Sequence, residues 1–233
     1  MTSFSISLAG VIVNVSTQYP STKDFCREFL TQQPADFTVV IRQEDIDHER
    51  SINTDSGSSD YLETLALLRA VSEKLLDYDT ILFHGSALAV NGKGYIFTAR
   101  SGTGKTTHTR LWLNTVPGAY VLNGDKPFLR FTEGHVMVCG SPWRGKENYG
   151  VNEMLPLEAI CLLERDNTDH IEQIDYQTAL ATLIRQTYRP DDPTLLMKSM
   201  QVIGDVAQSV HLYRLGCTMN PEAALVSSKA MIR

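Results

Sequence analysis

The string ARSGTGKTT at residues 99–107 constrains this chain more than any other feature. It matches G-x-x-x-x-G-K-[ST] at seven of eight positions, with Ala99 standing where the first glycine belongs. The apolar run Tyr95–Thr98 precedes it and a helix-compatible stretch to about Asn114 follows, so the sequence predicts strand, loop and helix in that order. A triphosphate needs backbone N–H groups converging on its oxygens. Gly102 and Gly104 let a chain curl around it, and the positive end of the following helix adds to the attraction. Ser101, Gly102, Thr103, Gly104, Lys105, Thr106 and Thr107 are therefore the expected phosphate cradle. Lys105 would meet the β- and γ-phosphates, and the Thr106 hydroxyl a bridging magnesium ion, which makes ATP and Mg2+ the expected cofactors. A glycine-rich turn carrying a solvated lysine is the bland reading of the same letters.

At 233 residues and 42% hydrophobic content the chain can build one sizeable core, or one core with a small appended module. The net charge of −6 comes without a basic stripe, which argues against nucleic acid or an anionic membrane surface as partner. No apolar run reaches the ~18 residues of a membrane span, since the best stretch, Ile81 to Val90, contains His84, Gly85 and Ser86. Cys26, Cys139, Cys161 and Cys217 lie far apart without zinc spacing and follow no signal peptide, so they read as reduced, buried thiols in a cytoplasmic protein. Self-association as a homo-oligomer is left open.

Residues 4–15 alternate around Ala9-Gly10 as two strands and a turn; 21–30 look helical, and Phe37–Arg42 extended. The polar stretch 44–60 lacks periodicity and predicts an exposed loop and a boundary. Asp60 with Glu63 resembles a capping pair opening a helix over 60–77. Two apolar runs around Asn91–Gly94 predict a hairpin that feeds the phosphate loop. Short strands are expected at 119–122, 127–131 and 136–139, with a turn at 132–135, an irregular segment at 140–153 and a central strand at 157–164. Asp192-Pro193 and Asn220-Pro221 each set a capping side chain before a proline, predicting helices at 193–209 and 220–231. Met197, Met200 and the stripe Leu196, Ile203, Val206 and Val210 read as core.

With SGTGKTT preceded by FHGSALAV and followed by NGDKP and GSPWRGK, residues 80–215 resemble the HPr kinase/phosphorylase and phosphoenolpyruvate-carboxykinase-like P-loop superfamily. Within it the chain looks most like small stand-alone HPr-kinase-like proteins, of the lasso-peptide precursor kinase type, which phosphorylate a peptide serine. The resemblance implies that His84 lies near the reacting phosphate. It also implies that Asp125 is the second of a pair of aspartates handling magnesium and the attacking hydroxyl. Here the first of that pair is Gly124, so a single carboxylate must bind metal, assist deprotonation, or leave the latter to another group such as Glu147. A turn residue ahead of Pro127 is the plain alternative for Asp125. Arg144 and Lys146, in a segment with three glycines and Trp143, suit a loop closing over phosphates, though an exposed loop held by a buried tryptophan explains the same letters. Arg165 matches a position where the subgroup carries arginine; a surface salt bridge is equally compatible.

The expectation is an α/β P-loop kinase domain of this type over residues 78–233, behind a small α+β module at 1–77. It would transfer the γ-phosphate of ATP to a serine of a peptide or protein, with His84, Lys105, Asp125, Arg144 and Lys146 carrying the chemistry and Thr106 and Asp125 the metal. The alternatives are a catalytically silent ATP-binding regulator and an ATPase.

Overall fold

The computed structural model describes residues 1–53 and 57–232. It is a mixed α/β structure with two sheets. In the first, β1 (Thr2–Leu8) and β2 (Val11–Thr17) form a hairpin whose alternate residues, from Phe4 to Leu8 and Val11 to Val15, point into the core. Ala9 and Gly10 close it at φ 52° and 75°, the left-handed pair that a two-residue turn requires. Strand β3 (Leu30–Thr31) pairs with β1, and β4 (Phe37–Val40) lies parallel to β2, giving the order β3-β1-β2-β4. Helix α1 (Pro20–Phe25) and a 3-10 turn at Arg27–Phe29 lead into β3.

Helix α2 (Gln43–Ile52) replaces most of the loop expected at 44–60. It buries little beyond Ile46 and Glu49, so no apolar stripe marks it. Glu49 is instead fixed by Arg69 at 2.6 Å, and Asp45 accepts the Arg42 amide at 2.7 Å to start the helix. Residues 54–56 of the expected loop lie outside the described residues. Helix α3 (Ser59–Leu75) follows and buries Leu62, Leu67, Val71 and Leu75. Its Glu63 does not cap it; the carboxylate is fully buried and accepts the amides of Gln18 and Tyr19, at 2.6 and 3.1 Å, and the Thr22 hydroxyl. Leu82, Phe128, Cys139 and Trp143 belong to the same core as these residues.

Among the described residues the second sheet has nine strands. These are β5 (Thr80–Leu82), β6 (Ser86–Val90), β7 (Lys93–Thr98), β8 (Tyr120–Asn123), β9 (Phe128–Thr132), β10 (His135–Cys139), β11 (Met154–Arg165), β12 (His170–Gln173) and β13 (His211–Cys217). The long β11 is the hub: its start pairs with β10, while its remainder runs parallel to β7 on one side and β13 on the other. The hairpins expected at Asn91-Gly92 and at 132–135 are both present, with registers Val90↔Lys93 and Thr132↔His135. Helix α4 (Lys105–Thr115) and α7 (Glu222–Met231) cover one part of the core, α5 (Tyr176–Gln186) and α6 (Pro193–Ser209) another.

The sequence pattern assigns neither α5, β12 nor β13. For α5 a capping signal exists, since Asp175 accepts the Thr178 amide at 2.8 Å. Asp192 caps α6 as expected, but Asn220 makes no side-chain cap on α7. Met197 is 75% exposed, off the face of α6 that buries Val202, Ile203 and Val206. Cys26, Cys139 and Cys161 are buried free thiols and Cys217 is half-buried. Among the described residues no helix is long and apolar enough to cross a membrane.

Candidate active site

Strand order brings the candidate residues together. Strand β6 is antiparallel to both neighbours, β7 and β8, so its beginning lies beside their ends. His84 and Gly85 before β6, Ala99 after β7, and Asp125 after β8 therefore share one edge of the sheet. The Thr98 hydroxyl donates to the His84 carbonyl at 2.8 Å, and the Gly85 amide to the Asp125 carbonyl at 3.0 Å.

The loop at 99–106 has the backbone geometry its glycines imply. Gly102 and Gly104 sit at φ 77° and 128°, in the region that side chains disfavour, with open space where a Cβ would project. Ala99 has no positive φ and is buried, which is why alanine serves there. Lys105, the first residue of α4, folds back to donate to the Ala99 carbonyl at 3.2 Å. Burial pulls its ammonium below the ordinary lysine value; Asp125 opposes that fall and Lys126 adds to it. A partly desolvated cation of this kind binds an anion more strongly than one in open water. Arg165, at the end of β11, grips the loop from behind, donating to the carbonyls of Thr103 at 3.2 Å and of Gly102.

Across the cleft His84 Nε2 lies 3.3 Å from Asp125 Oδ1. Burial pushes the Asp125 carboxyl up, but the His84 hydrogen bond and the charges of Lys126, His84 and Lys105 outweigh it and hold the group below the usual aspartate value. Sequence reasoning passed over what sets this carboxylate in place. Asn123 is fully buried and accepts the amides of Asp125 and Lys126 at 2.9 and 2.7 Å. Its own amide is held by Ser141, at 3.1 Å to the carbonyl and 3.0 Å to the hydroxyl. The signal was present in NGDKP, because an asparagine that accepts amides two and three residues on builds an Asx turn.

Residues 140–150 form the outer wall. Trp143 anchors them by donating to the Thr64 carbonyl at 2.9 Å. A Cβ on Gly124 would lie 2.7 Å from the Arg144 carbonyl, and one on Gly145 would lie 2.8 Å from Asp125 Cβ. The wall backbone thus stands where the first residue of an aspartate pair would project. Arg144 borders the cleft, but its guanidinium pairs with Glu28 at 2.5 and 3.2 Å, beside Phe29. Lys146 is exposed on the rim. Glu147 is bonded to Arg110 at 2.8 Å on the same rim. The cleft is open to solvent and about 420 Å³, bordered by His84, Ser101, Gly102, Gly104, Lys105, Thr106, Thr107, Asp125 and this wall, while Thr103 lies outside it.

Among the described residues no group of three or more His, Cys, Asp or Glu side chains is arranged to hold a metal ion. Magnesium in nucleotide sites needs only one or two protein ligands beside phosphate oxygens and water, so the donor set of Thr106 and Asp125 fits it.

No protein-family model and no curated protein matches the sequence. Among solved structures, the chain is similar to an HPr(Ser) kinase/phosphatase from Coxiella burnetii, with a TM-score of 0.40 and 9% identity over 64% of this chain and 86% of that one. A likeness of that size says nothing about the chemistry of the cleft.

Proposed function

We propose that the chain is an ATP- and magnesium-dependent phosphotransferase that acts on a hydroxyl group, a serine of a peptide or protein. The observation that carries this reading is the 3.3 Å His84–Asp125 pair facing Lys105 and the phosphate loop across one cleft of about 420 Å³. The loop amides and Lys105 hold the β- and γ-phosphates. Thr106 and Asp125 would hold magnesium, which would supply charge neutralisation at the phosphates. Asp125, kept ionised by His84, aligns the acceptor hydroxyl. The serine oxygen bonds to the γ-phosphorus as that phosphorus loses its bond to the β,γ-bridging oxygen. The electron pair leaves on ADP, and the hydroxyl proton passes to the His84–Asp125 pair. Lys146 on the rim supplies a further cation, while Arg144 does so only on leaving Glu28.

Labelled γ-phosphate with serine peptides tests the assignment: label reaches peptide for a kinase, stays on ATP for a silent regulator, and appears as free phosphate for an ATPase. Lys105→Ala should weaken ATP binding and slow transfer together. Asp125→Asn should lower single-turnover transfer ~10²–10⁴-fold while metal-free nucleotide binding survives. Transfer by Asp125→Asn at the wild-type rate would remove this carboxylate from the mechanism. MgATP at ~100 times its Kd should stabilise the fold by about 2.7 kcal/mol, and an unchanged Tm would end the nucleotide reading.

A further inference from the structure

A second cleft, of about 310 Å³, meets the first at His84, which borders both. It runs along the seam between α3 and the segment that follows α5. Half-buried Leu65 and nearly buried Leu68 of α3 form one side, and nearly buried Leu82 the other, with Phe83 fully buried beneath it. Backbone hydrogen bonds fix the floor: the His84 amide donates to the Gln186 carbonyl at 2.7 Å, and the Tyr188 amide to the Leu82 carbonyl at 3.0 Å.

The charge along this cleft is unbalanced. Its carboxylate, Glu49, is already engaged by Arg69 at 2.6 Å. Lys126 and Arg185 also line it, and among the described residues neither meets a carboxylate within ion-pair distance; Arg185 donates to the Thr182 hydroxyl at 2.8 Å. Two cations without an ion-pair contact, Lys126 also attracted to the neighbouring Asp125, thus flank a cleft of mixed polar and apolar lining in a chain whose net charge is −6. Lys126 follows Asp125 directly, so the positive end of the trough is the end nearest the reacting pair.

We propose that this seam is where the acceptor docks, and that the acceptor is an extended peptide with carboxylates beside its serine. Apolar side chains of the peptide lie against Leu65 and the edges of Leu68 and Leu82, its acidic residues meet Lys126 and Arg185, and its serine reaches Asp125 past His84. The inference rests on the phosphotransferase reading and deepens it: the nucleotide fills the cleft of the phosphate loop, and the peptide enters from the opposite side of His84. The N-terminal sheet and α3 thereby acquire a task, since α3 supplies one side of the trough. Steering by complementary charge raises the encounter rate for an acidic peptide and disfavours a basic one.

The test uses the full chain, MgATP labelled at the γ-phosphate, and three serine-peptide pools that carry Asp, Ala or Lys on both sides of the serine. Transfer should favour the Asp pool. Arg185→Glu should raise KM for the Asp pool by about tenfold or more and improve transfer to the Lys pool, both read at saturating MgATP because Arg185 also borders the cleft along Thr98–Thr103. Lys126→Glu should shift the preference in the same sense. A merely structural role for Arg185 would depress all pools together and would not invert the preference. Equal use of the three pools, or a uniform loss in Arg185→Glu, overturns the docking inference and leaves the phosphotransferase reading standing. Transfer to none of the pools, with label released as free phosphate or retained on ATP, removes the peptide-kinase reading and this inference with it.

Discussion

Acid should loosen helix α4 through one side chain, His108, one turn beyond Lys105. The Ser227 hydroxyl accepts Trp112 Nε1 at 2.7 Å and donates to the carbonyl of Ala223 or Ala224, at 3.0 or 3.1 Å, so its one hydrogen is committed. His108 Nε2, 3.0 Å from that hydroxyl, must then be the donor, and Nδ1 is the bare nitrogen, buried and without a partner. A second proton would place a full charge in a site walled by Phe97, whose ring centroid is 4.6 Å away. Burial accordingly pulls His108 from 6.5 down to about 4, with the attraction of Asp169 opposing weakly. Because the folded value is lowered, the unfolded chain binds the proton first. Stability is therefore intact above pH 6.5, declines as pH falls towards about 4, and levels off below that. At about 1.4 kcal/mol per pH unit the whole interval is worth roughly 3 kcal/mol, or a fall in Tm of about 6–12 °C for a chain of this size. Urea denaturation of wild type and His108→Gln between pH 7.5 and 4 measures it, since glutamine offers an N–H near the position of Nε2 but cannot take the proton. The variant should lose about 3 kcal/mol less than wild type over that range. Parallel stability curves for the two proteins would refute the reasoning.

Gly124→Ala should destabilise the fold by about 1–3 kcal/mol in chemical denaturation, because the new methyl meets the Arg144 carbonyl at 2.7 Å and a backbone atom cannot swing aside; unchanged stability would mean that the wall at 140–150 yields freely. Ala99→Gly should alter nucleotide affinity by less than about tenfold, whereas Gly104→Ala, forced to φ 128°, should weaken it far more; a titration giving equal losses contradicts the backbone argument. Arg165→Ala, which releases the Gly102 and Thr103 carbonyls, should weaken nucleotide binding about tenfold by calorimetry, near the worth of one charge-assisted hydrogen bond; wild-type affinity would show that the loop holds its shape unaided.

What the sequence made legible was local. The strand, glycine loop and helix at 95–115, the Asn91-Gly92 hairpin and the Asp192 cap are each written within a few neighbouring residues, and the local structure appears in each place. Long-range pairings were not legible in that way. Nothing in the letters around Arg144 says that its guanidinium is taken by Glu28, 116 positions earlier, and nothing around Glu63 says that its carboxylate serves the chain at Gln18 and Tyr19 and caps no helix. Helix α2 escaped because its hold on the fold is Ile46 and a Glu49–Arg69 ion pair, which hydrophobic periodicity does not register.

Gly124 shows the limit most clearly. As a letter it marks a missing carboxylate, and a missing carboxylate suggests either a weakened enzyme or a substitute elsewhere. In the structure the same glycine is a contact: the Arg144 carbonyl occupies the space into which any side chain at 124 would project, and Gly145 lets the wall pass against Asp125. The absence of a first aspartate and the closeness of the wall are therefore one feature. A chain that admits no side chain at 124 leaves Asp125 as the carboxylate of this edge, and much fixes that residue: Asn123 sets its backbone, His84 holds one oxygen, and Lys105 and Lys126 keep it charged. Glu147 borders the same cleft and is bonded to Arg110 at 2.8 Å. On these grounds Gly124→Asp should not restore a second acid; the added carboxylate would first displace the wall, and nucleotide affinity and transfer should fall together.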